Sequence, residues 1–477
     1  MTRTPSPTLS DTVTPLHGEA LTRRVLAAAG ALRGRGVGAG DRVMVRGDNS
    51  LDYIVTLLAL IHLDVSLVPV DHRTSPADTR ASAEQCRARW LVGEGGGPEG
   101  FPADRVLDHR GLADTPSPEG PEGTGRSIDL EPWFGRRDAL VLWSSGTTGR
   151  PKGVVKSGRA VRDNTLRTIQ AMGYRPDDVM APLLPFSHQY GLSVVLVWWL
   201  ARCALLVTPY QRLDLAVARA VTGGATAVDA APSTYHAVLG VVRRRPELLA
   251  GLADVRVWGV GGAPLPRPLA ETFHRTVGRP LLDGYGLTEL GNVALATPDA
   301  PVGCGRPLPG VDLRIVRPDG RPAAPGEPGE IEVRSPGLME GYLKPDGTLV
   351  PVVDTGWYPT ADLGHLDADG HLHVHGRNRA VHRLGFTLYP ESLERKAENC
   401  GRPVKVVAAR DERRGASLHF VVADPDGGEP RDWRRRLAPH LAEYEQPNAV
   451  HVVREFPLGT NGKVDNRALG ELIGVGA

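Results

Sequence analysis

The segment Leu142-Trp143-Ser144-Ser145-Gly146-Thr147-Thr148-Gly149-Arg150-Pro151-Lys152-Gly153-Val154 decides how the chain is read. The apolar run from Ala139 to Trp143 predicts a buried strand leading into it. Two serines, two threonines, three glycines and one lysine then fall within the ten residues from Ser144 to Gly153. Glycines let the backbone turn its N–H groups inward. Hydroxyls add donors, and Lys152 adds a full positive charge, a combination that suits a polyphosphate. The segment is not a Walker loop, because Pro151 precedes the lysine and Gly153 stands where that loop needs Ser or Thr.

A chain of 477 residues suggests two or three domains. With 41% hydrophobic and 23% charged residues, the composition is that of an ordinary globular enzyme. A formal net charge of +1 gives no field to attract nucleic acid or an anionic membrane, so neither is expected as a partner. Cys86, Cys203, Cys304 and Cys400 lie far apart and form no metal-like cluster, which predicts reduced thiols. Met1-Thr2-Arg3-Thr4-Pro5 has no apolar core of the secretory kind, and a cytoplasmic location is expected. The most apolar run, Gly191 to Val207, is too short for a membrane span and reads as a core helix followed by a strand.

Outward from the phosphate-type loop, helical and strand patterns alternate. Helices are predicted at Leu21–Leu32, Leu51–Leu63, Asp214–Val221, Thr234–Arg243 and Pro266–Val277, with strands at Arg42–Val45 and Ser66–Val70. Such alternation predicts an α/β fold with parallel-rich sheets. Gly36 to Gly40 follows a helix rather than a strand, so it is a turn and not a dinucleotide fingerprint. The Thr/Ser/Pro-rich start, to about Pro15, is expected to be loose, and Gly93–Gly100 and Asp114–Gly125 read as loops. The short runs Val311–Val316, Gly329–Arg334 and Leu338–Tyr342 predict a small β-rich subdomain. Beyond Ala380, a helix at Pro390–Glu398, strands at Val404–Ala409 and Leu418–Ala423, and a helix at Asp432–Leu441 predict a separate α+β unit.

Ser144-Ser145-Gly146-Thr147-Thr148-Gly149-Arg150-Pro151-Lys152-Gly153 resembles the phosphate loop of the adenylate-forming superfamily of acyl- and aryl-CoA synthetases, peptide-synthetase adenylation domains and firefly-type luciferases. Further segments resemble the family's in order from about Leu21 to Leu469. The likeness implies a large domain over 1–379 and a small mobile lid over 380–477, with the active site between them. It also implies ATP and Mg²⁺, with Ser144, Ser145, Gly146, Thr147, Thr148, Gly149 and Lys152 on the phosphates. Gly284-Tyr285-Gly286-Leu287-Thr288-Glu289 resembles the G-Y-G-x-T-E segment. There a hydroxyl at Thr288 holds a phosphate oxygen, Tyr285 offers a flat face to adenine, and Glu289 (with Thr148) offers a hard oxygen to Mg²⁺. Gly261-Gly262-Ala263-Pro264 resembles the loop between purine and acyl pocket, with Gly262 and Ala263 toward the nucleotide and Gly261 and Gly286 toward the acid. Thr360-Ala361-Asp362-Leu363-Gly364, with Gly376-Arg377, resembles T-G-D-L-G…G-R, which implies Asp362 and Arg377 at the ribose or phosphate. Ala361 stands where the family usually has glycine.

Pro457 to Asp465 resembles the C-terminal loop whose lysine, here Lys463, reaches the active site and stabilises charge growing on the phosphoryl oxygens. Pro185 to Leu192 resembles the aromatic segment beside the acyl pocket, with His188 at the family's histidine. It lacks the Asp with which amino-acid-activating relatives pair the α-amine. Asp229 falls on the strand end that the family uses to line this pocket, usually with apolar side chains, and a carboxylate there is costly unless paired. It is therefore expected to bind an amine or phenol of the acid. The crossover from Gly376 to Gly385 departs from the family pattern. Arg379 takes the hinge position and the segment is one residue short. The implied reaction joins a small carboxylic acid, preferably aromatic or short, to AMP. The acyl group then passes to a thiol, either coenzyme A or a carrier protein's phosphopantetheine supplied in trans. The alternatives are transfer to an amine or other nucleophile, and a non-catalytic nucleotide-binding relative.

Overall fold

The computed structural model describes residues 7–11, 15–74, 76–114, 127–144, 152–352, 356–377, 381–383, 386–388, 390–411, 415–441, 445–459 and 463–475. Its organising elements are two helices that are apolar all round. Leu51–His62 is capped by Ser50, whose side chain accepts from the Tyr53 amide at 3.0 Å, and carries Asp52 in its first turn. Every residue from Tyr53 to Ile61 in it is buried. Gln189–Ala201 buries Leu192 and Val194 to Trp198 and stops at Arg202, which turns to φ 56°. A helix without a polar face has to be covered on every side.

Two sheets provide the cover. One has eight strands, with Leu140–Ser144, Ser66–Asp71, Arg42–Gly47, Trp90–Gly93 and Val106–Leu107 running parallel as neighbours in that order. The other has nine. Its parallel centre runs from Leu282–Leu287 through Val257–Val260, Ala227–Ala230, Val179–Met180 and Ala204–Leu206 to Thr8–Ser10. A single core joins them, with Val43, Val45, Leu67 and Leu140 from one sheet and Leu9, Met180, Leu205, Ala227 and Val257 from the other packed with both helices. The α/β expectation with parallel-rich sheets holds, and the predicted helices and strands of this region are present within a few residues of their expected ends.

Two expectations are corrected. The N-terminal stretch is not wholly loose: Thr8–Ser10 pairs in parallel with Ala204–Leu206, Leu9 is fully buried, and the Trp198 indole donates to the Thr8 carbonyl at 2.8 Å. Polar neighbours masked a strand whose one inward residue completes the core. The run Leu338–Tyr342 does not belong to the β-rich subdomain either. Its strand, Gly341–Leu343, pairs antiparallel with Lys152–Lys156 in the eight-stranded sheet. The subdomain is a four-stranded antiparallel sheet of Asp312–Val316, Gly329–Arg334, Tyr358–Leu366 and Leu372–Arg377.

The C-terminal region has a core of its own, with Leu393, Val404, Leu418, Phe420, Trp433 and Leu437 at its centre. Val404–Asp411 and Gly415–Ala423 pair antiparallel, Ala449–Val453 adds a parallel strand, and helices Pro390–Ala397 and Pro430–Leu437 complete the unit. The predicted helix to Leu441 gives way after Leu437 to a single tight turn, Ala438–His440, which contains Pro439.

Truncating Leu9 separates a docked strand from a loose tail. We expect Leu9→Ala to cost about 3 kcal/mol in urea unfolding, as buried leucines do. An unchanged midpoint would mean that the segment is not held in the sheet.

Candidate active site

The phosphate-loop segment is carried by an antiparallel strand pair. Ser144 ends Leu140–Ser144 and faces Lys152, the first residue of Lys152–Lys156. Ser145, Gly146, Thr147, Thr148, Gly149 and Arg379 lie outside the described residues. On the other side of Lys152–Lys156, Tyr342 pairs with Val154, which brings its ring 5.4 Å from the Lys152 ammonium. The Tyr342 hydroxyl donates to Glu289 Oε1 at 2.9 Å and lies 2.9 Å from the Tyr358 hydroxyl. Burial, then Tyr358 and Glu289, keep the Tyr342 proton on far above its ordinary range. Thr288 and Glu289 sit half-buried in the turn after strand Leu282–Leu287. Beneath this turn Lys156, 2% exposed, directs its Nζ at the Gly337 carbonyl (2.7 Å) and the Glu289 carbonyl (3.4 Å). Burial pushes its ammonium down to about 7, against the pull of Glu289.

A second cluster joins two of the predicted residues directly. The Tyr285 hydroxyl donates to Asp362 Oδ2 at 2.7 Å, while its ring packs with Leu290, Val293 and Leu308. Asp362 is 8% exposed, and its amide donates to the Thr360 hydroxyl at 3.1 Å. Arg377 stands opposite Asp362 in the register of the two strands. Ala361 has φ 58°, the left-handed conformation in which a Cβ costs about 1 kcal/mol or more. The alanine at this position therefore carries a backbone strain that glycine would not.

The acid-side residues gather at the ends of the parallel strands of the nine-stranded sheet. Asp229 is 5% exposed on Ala227–Ala230, in register with Gly259. A Cβ at Gly259 would collide with Asp229 Oδ1, so the glycine makes room for the carboxylate. Oδ1 accepts from the Tyr190 hydroxyl at 2.9 Å, while Oδ2 is buried with no hydrogen-bond partner among the described residues. Burial pushes the carboxyl up to about 6, and the Tyr190 bond pulls the other way. Gly261 lies against the Tyr190 ring, Gly262 is exposed at φ 80° with Ala263 half-buried beside it, and Gly286 is exposed. His188 precedes helix Gln189–Ala201, with its Nε2 3.3 Å from Asp71 Oδ2. Burial raises the Asp71 carboxyl, but hydrogen bonds from His188 and Arg73 outweigh it and hold the group well below the usual carboxylate range.

Lys463 is exposed on a small loop closed by the Leu458–Val464 bridge and by the Gly459 amide donating to its carbonyl at 2.7 Å. Asp465 ends the loop by capping helix Asn466–Leu472 with two hydrogen bonds, from the amides of Arg467 and Ala468.

The AMP-binding enzyme family model matches residues 9–343 of the chain. The chain belongs to the AMP-binding, adenylate-forming family. A feruloyl-CoA synthase from an Amycolatopsis species is 29% identical, covering 93% of this chain and 91% of its own. The fatty acid–[acyl-carrier-protein] ligase ScoC of Streptomyces coeruleorubidus is 30% identical, covering 94% and 90%. Among solved structures, ATP-bound MatB of Rhodopseudomonas palustris superposes with a TM-score of 0.85 at 25% identity, covering 99% of this chain and 97% of that one. The protein is thus an acyl-adenylate-forming ligase, and no described helix is long and apolar enough to cross a membrane.

Tyr342, Tyr358, Tyr190, Asp71 and Lys156 of the ligase escaped sequence reading. The tyrosines and Asp71 gain their meaning from pairings distant in sequence. Lys156 did leave a signal, as a lone lysine closing the buried run Gly153-Val154-Val155.

Two stability measurements follow. A carboxyl whose folded pKa is raised contributes stability that is fully present below its ordinary value of 3.8 and is lost as pH climbs through about 6. Asp229→Asn removes that dependence, so the variant should gain on the parent between pH 4 and pH 7 by up to about 3 kcal/mol. Parallel stability curves would refute a buried, shifted Asp229. Ala361→Gly should raise the urea midpoint by an amount equivalent to about 1 kcal/mol. A loss of stability would mean that the left-handed conformation is not strained.

Proposed function

We propose that this ligase uses ATP to activate a small carboxylic acid, aromatic or short, as an acyl-adenylate and passes the acyl group to a thiol. The observation that carries the reading is that Lys152, on the strand pair that flanks the phosphate loop, lies against Tyr342, whose hydroxyl holds Glu289. A cation and an oriented carboxylate close together beside that loop support a site for a triphosphate and its counter-ion. In the first half-reaction a substrate carboxylate oxygen bonds to the α-phosphorus as the bond to pyrophosphate breaks. Lys152 and the loop from Ser144 to Gly149 hold phosphate oxygens, with Thr288 adding a hydroxyl. Asp362, fixed by Tyr285, takes the ribose hydroxyls with Arg377, and Gly262 and Ala263 border the purine. Lys463 meets the negative charge that grows during transfer, an interaction worth most in the transition state.

Glu289 fits Mg²⁺ by its chemistry: Tyr342 orients one oxygen of a hard carboxylate, and no other hydrogen bond to the carboxylate appears among the described residues. The ion would supply neutralising charge for the phosphates when bound, with Thr148 as a second oxygen donor.

On the acid side, His188, Gly261 and Gly286 border the substrate. The unpartnered Oδ2 of Asp229 is an acceptor in want of a donor, which favours an acid bearing an amine or hydroxyl. The thiol is coenzyme A or a phosphopantetheine on a separate carrier protein, acceptor types named in the feruloyl-CoA synthase and ScoC. The unit over 380–477 would turn about Arg379 between half-reactions, withdrawing Lys463 to admit the thiol.

Pyrophosphate release with Mg·ATP across a panel of acids tests the reading. Amino- or hydroxy-substituted aromatic acids should lead, and Asp229→Ala should erase their lead over unsubstituted ones. Added coenzyme A should then yield the thioester. Formation of an amide with a supplied amine, and no thioester, would reassign the acceptor. Lys463→Ala should lower the adenylation rate by about 10²-fold or more while ATP still binds. No release with any acid from a protein that binds ATP would overturn the catalytic reading.

A further inference from the structure

Lys156 is a buried charge beside the candidate site that the proposed chemistry leaves unused. It ends strand Lys152–Lys156, the strand that begins with the phosphate-loop lysine. Its burial is nearly complete, and among the described residues the acceptors its ammonium faces are two main-chain carbonyls. Three N–H donors against two acceptors is poor compensation for desolvating a charge, and an apolar side chain of equal length would avoid the cost.

The identity of the two carbonyls shows what the cost secures. One belongs to Glu289 itself. The other belongs to Gly337, in the loop that leads into Tyr342, the residue whose hydroxyl holds the Glu289 carboxylate. The two segments also touch each other. The Met339 amide donates to the Glu289 carbonyl at 2.8 Å, and a Cβ at Gly337 would collide with the Leu290 carbonyl. The same loop is tied to the lysine's own strand, because the Glu340 amide donates to the Val155 carbonyl at 2.8 Å. Lys156 therefore stands where the phosphate-loop strand, the Glu289 turn and the Tyr342 loop meet on their buried side.

We infer that Lys156 is a positioning residue: its Nζ locks the main chains of Glu289 and Gly337 together and so fixes the Glu289 carboxylate against Tyr342 for nucleotide binding. The inference rests on Glu289 serving the nucleotide, as proposed above. It concerns geometry in the empty enzyme, so it can be read without any substrate.

The deciding experiment is hydrogen exchange on the ligand-free full chain, wild type against Lys156→Met. Amides of 288–292 and 335–341 should exchange at least tenfold faster in the variant, with those of 404–423 unchanged. In the same preparations Lys156→Met should lower kcat for pyrophosphate release at least tenfold, leave KM for the acid unaltered, and raise the Mg²⁺ concentration for half-maximal rate. Lys156→Gln, which keeps a donor for one carbonyl, should recover part of each change. It also serves as the variant of record if Lys156→Met does not fold. Unchanged exchange in both segments would overturn the inference, as would faster exchange spread evenly over the whole sheet, which marks a merely structural lysine. A wild type that releases no pyrophosphate would count against the proposed function alone, because the exchange comparison still decides what Lys156 holds.

Discussion

Two helices without a polar face set the terms for everything else in this protein. Leu51–His62 and Gln189–Ala201 bury their flanks as well as their inner stripes, so neither can lie on a surface. One sheet can cover only one side. The chain therefore builds a second sheet, and the helices become shared filling between them, joined by one continuous core. The seam between sheets is where loops from both can converge. Asp71, at the end of a strand of the eight-stranded sheet, meets His188, at the start of a helix packed against the nine-stranded one. The phosphate-loop strand meets the Glu289 turn of the opposite sheet through Lys156. The active-site cluster is a consequence of how the core is closed.

The same closure explains why the site's polar groups are held by tyrosines. At the seam the surroundings are apolar, and an uncompensated carboxylate there is expensive. Three acidic side chains of the site each take a tyrosine hydroxyl: Glu289 from Tyr342, Asp362 from Tyr285, Asp229 from Tyr190. A phenol suits this task because it brings a large apolar ring to the core and a donor at its tip. It also leaves the carboxylate's charge intact, which a lysine or arginine would cancel. Asp229 stands apart from the others in keeping one oxygen buried without a partner among the described residues, and burial shifts its carboxyl upward.

Where the sequence could be read and where it could not follows from the range of the interactions. Helix and strand periodicity is local, so the alternation from Leu21 to Val277 was legible, as were the short motifs around Lys152, Glu289 and Asp362. Partners in a sheet are not local. Leu338–Tyr342 reads as part of a β-rich run, yet its strand belongs with Lys152–Lys156, nearly two hundred positions earlier. Without that pairing Tyr342 has no visible connection to Glu289. Thr8–Ser10 was hidden differently, since its threonine, serine and proline neighbours carry the composition of a tail and only Leu9 reports the core. At Ala361 the departure from a glycine motif was visible, but its cost was not, because the cost lies in a backbone angle.

The distribution of the groups over the fold bears on which half of the chemistry is free to vary. Lys152, Glu289, Asp362 and Asp229 all stand in or beside strands of the large sheets or of the four-stranded sheet packed with them, positions fixed by neighbours on several sides. Lys463 instead is exposed beyond the last strand of a unit with its own core. That core is separate from the packing that surrounds Asp229 and Glu289. The crossover is also where this chain departs most from the family pattern, at Arg379 and the residues after it. On the reading proposed above, the adenylation residues are the ones the core constrains, and the choice of nucleophile falls to the segment where the sequence departs.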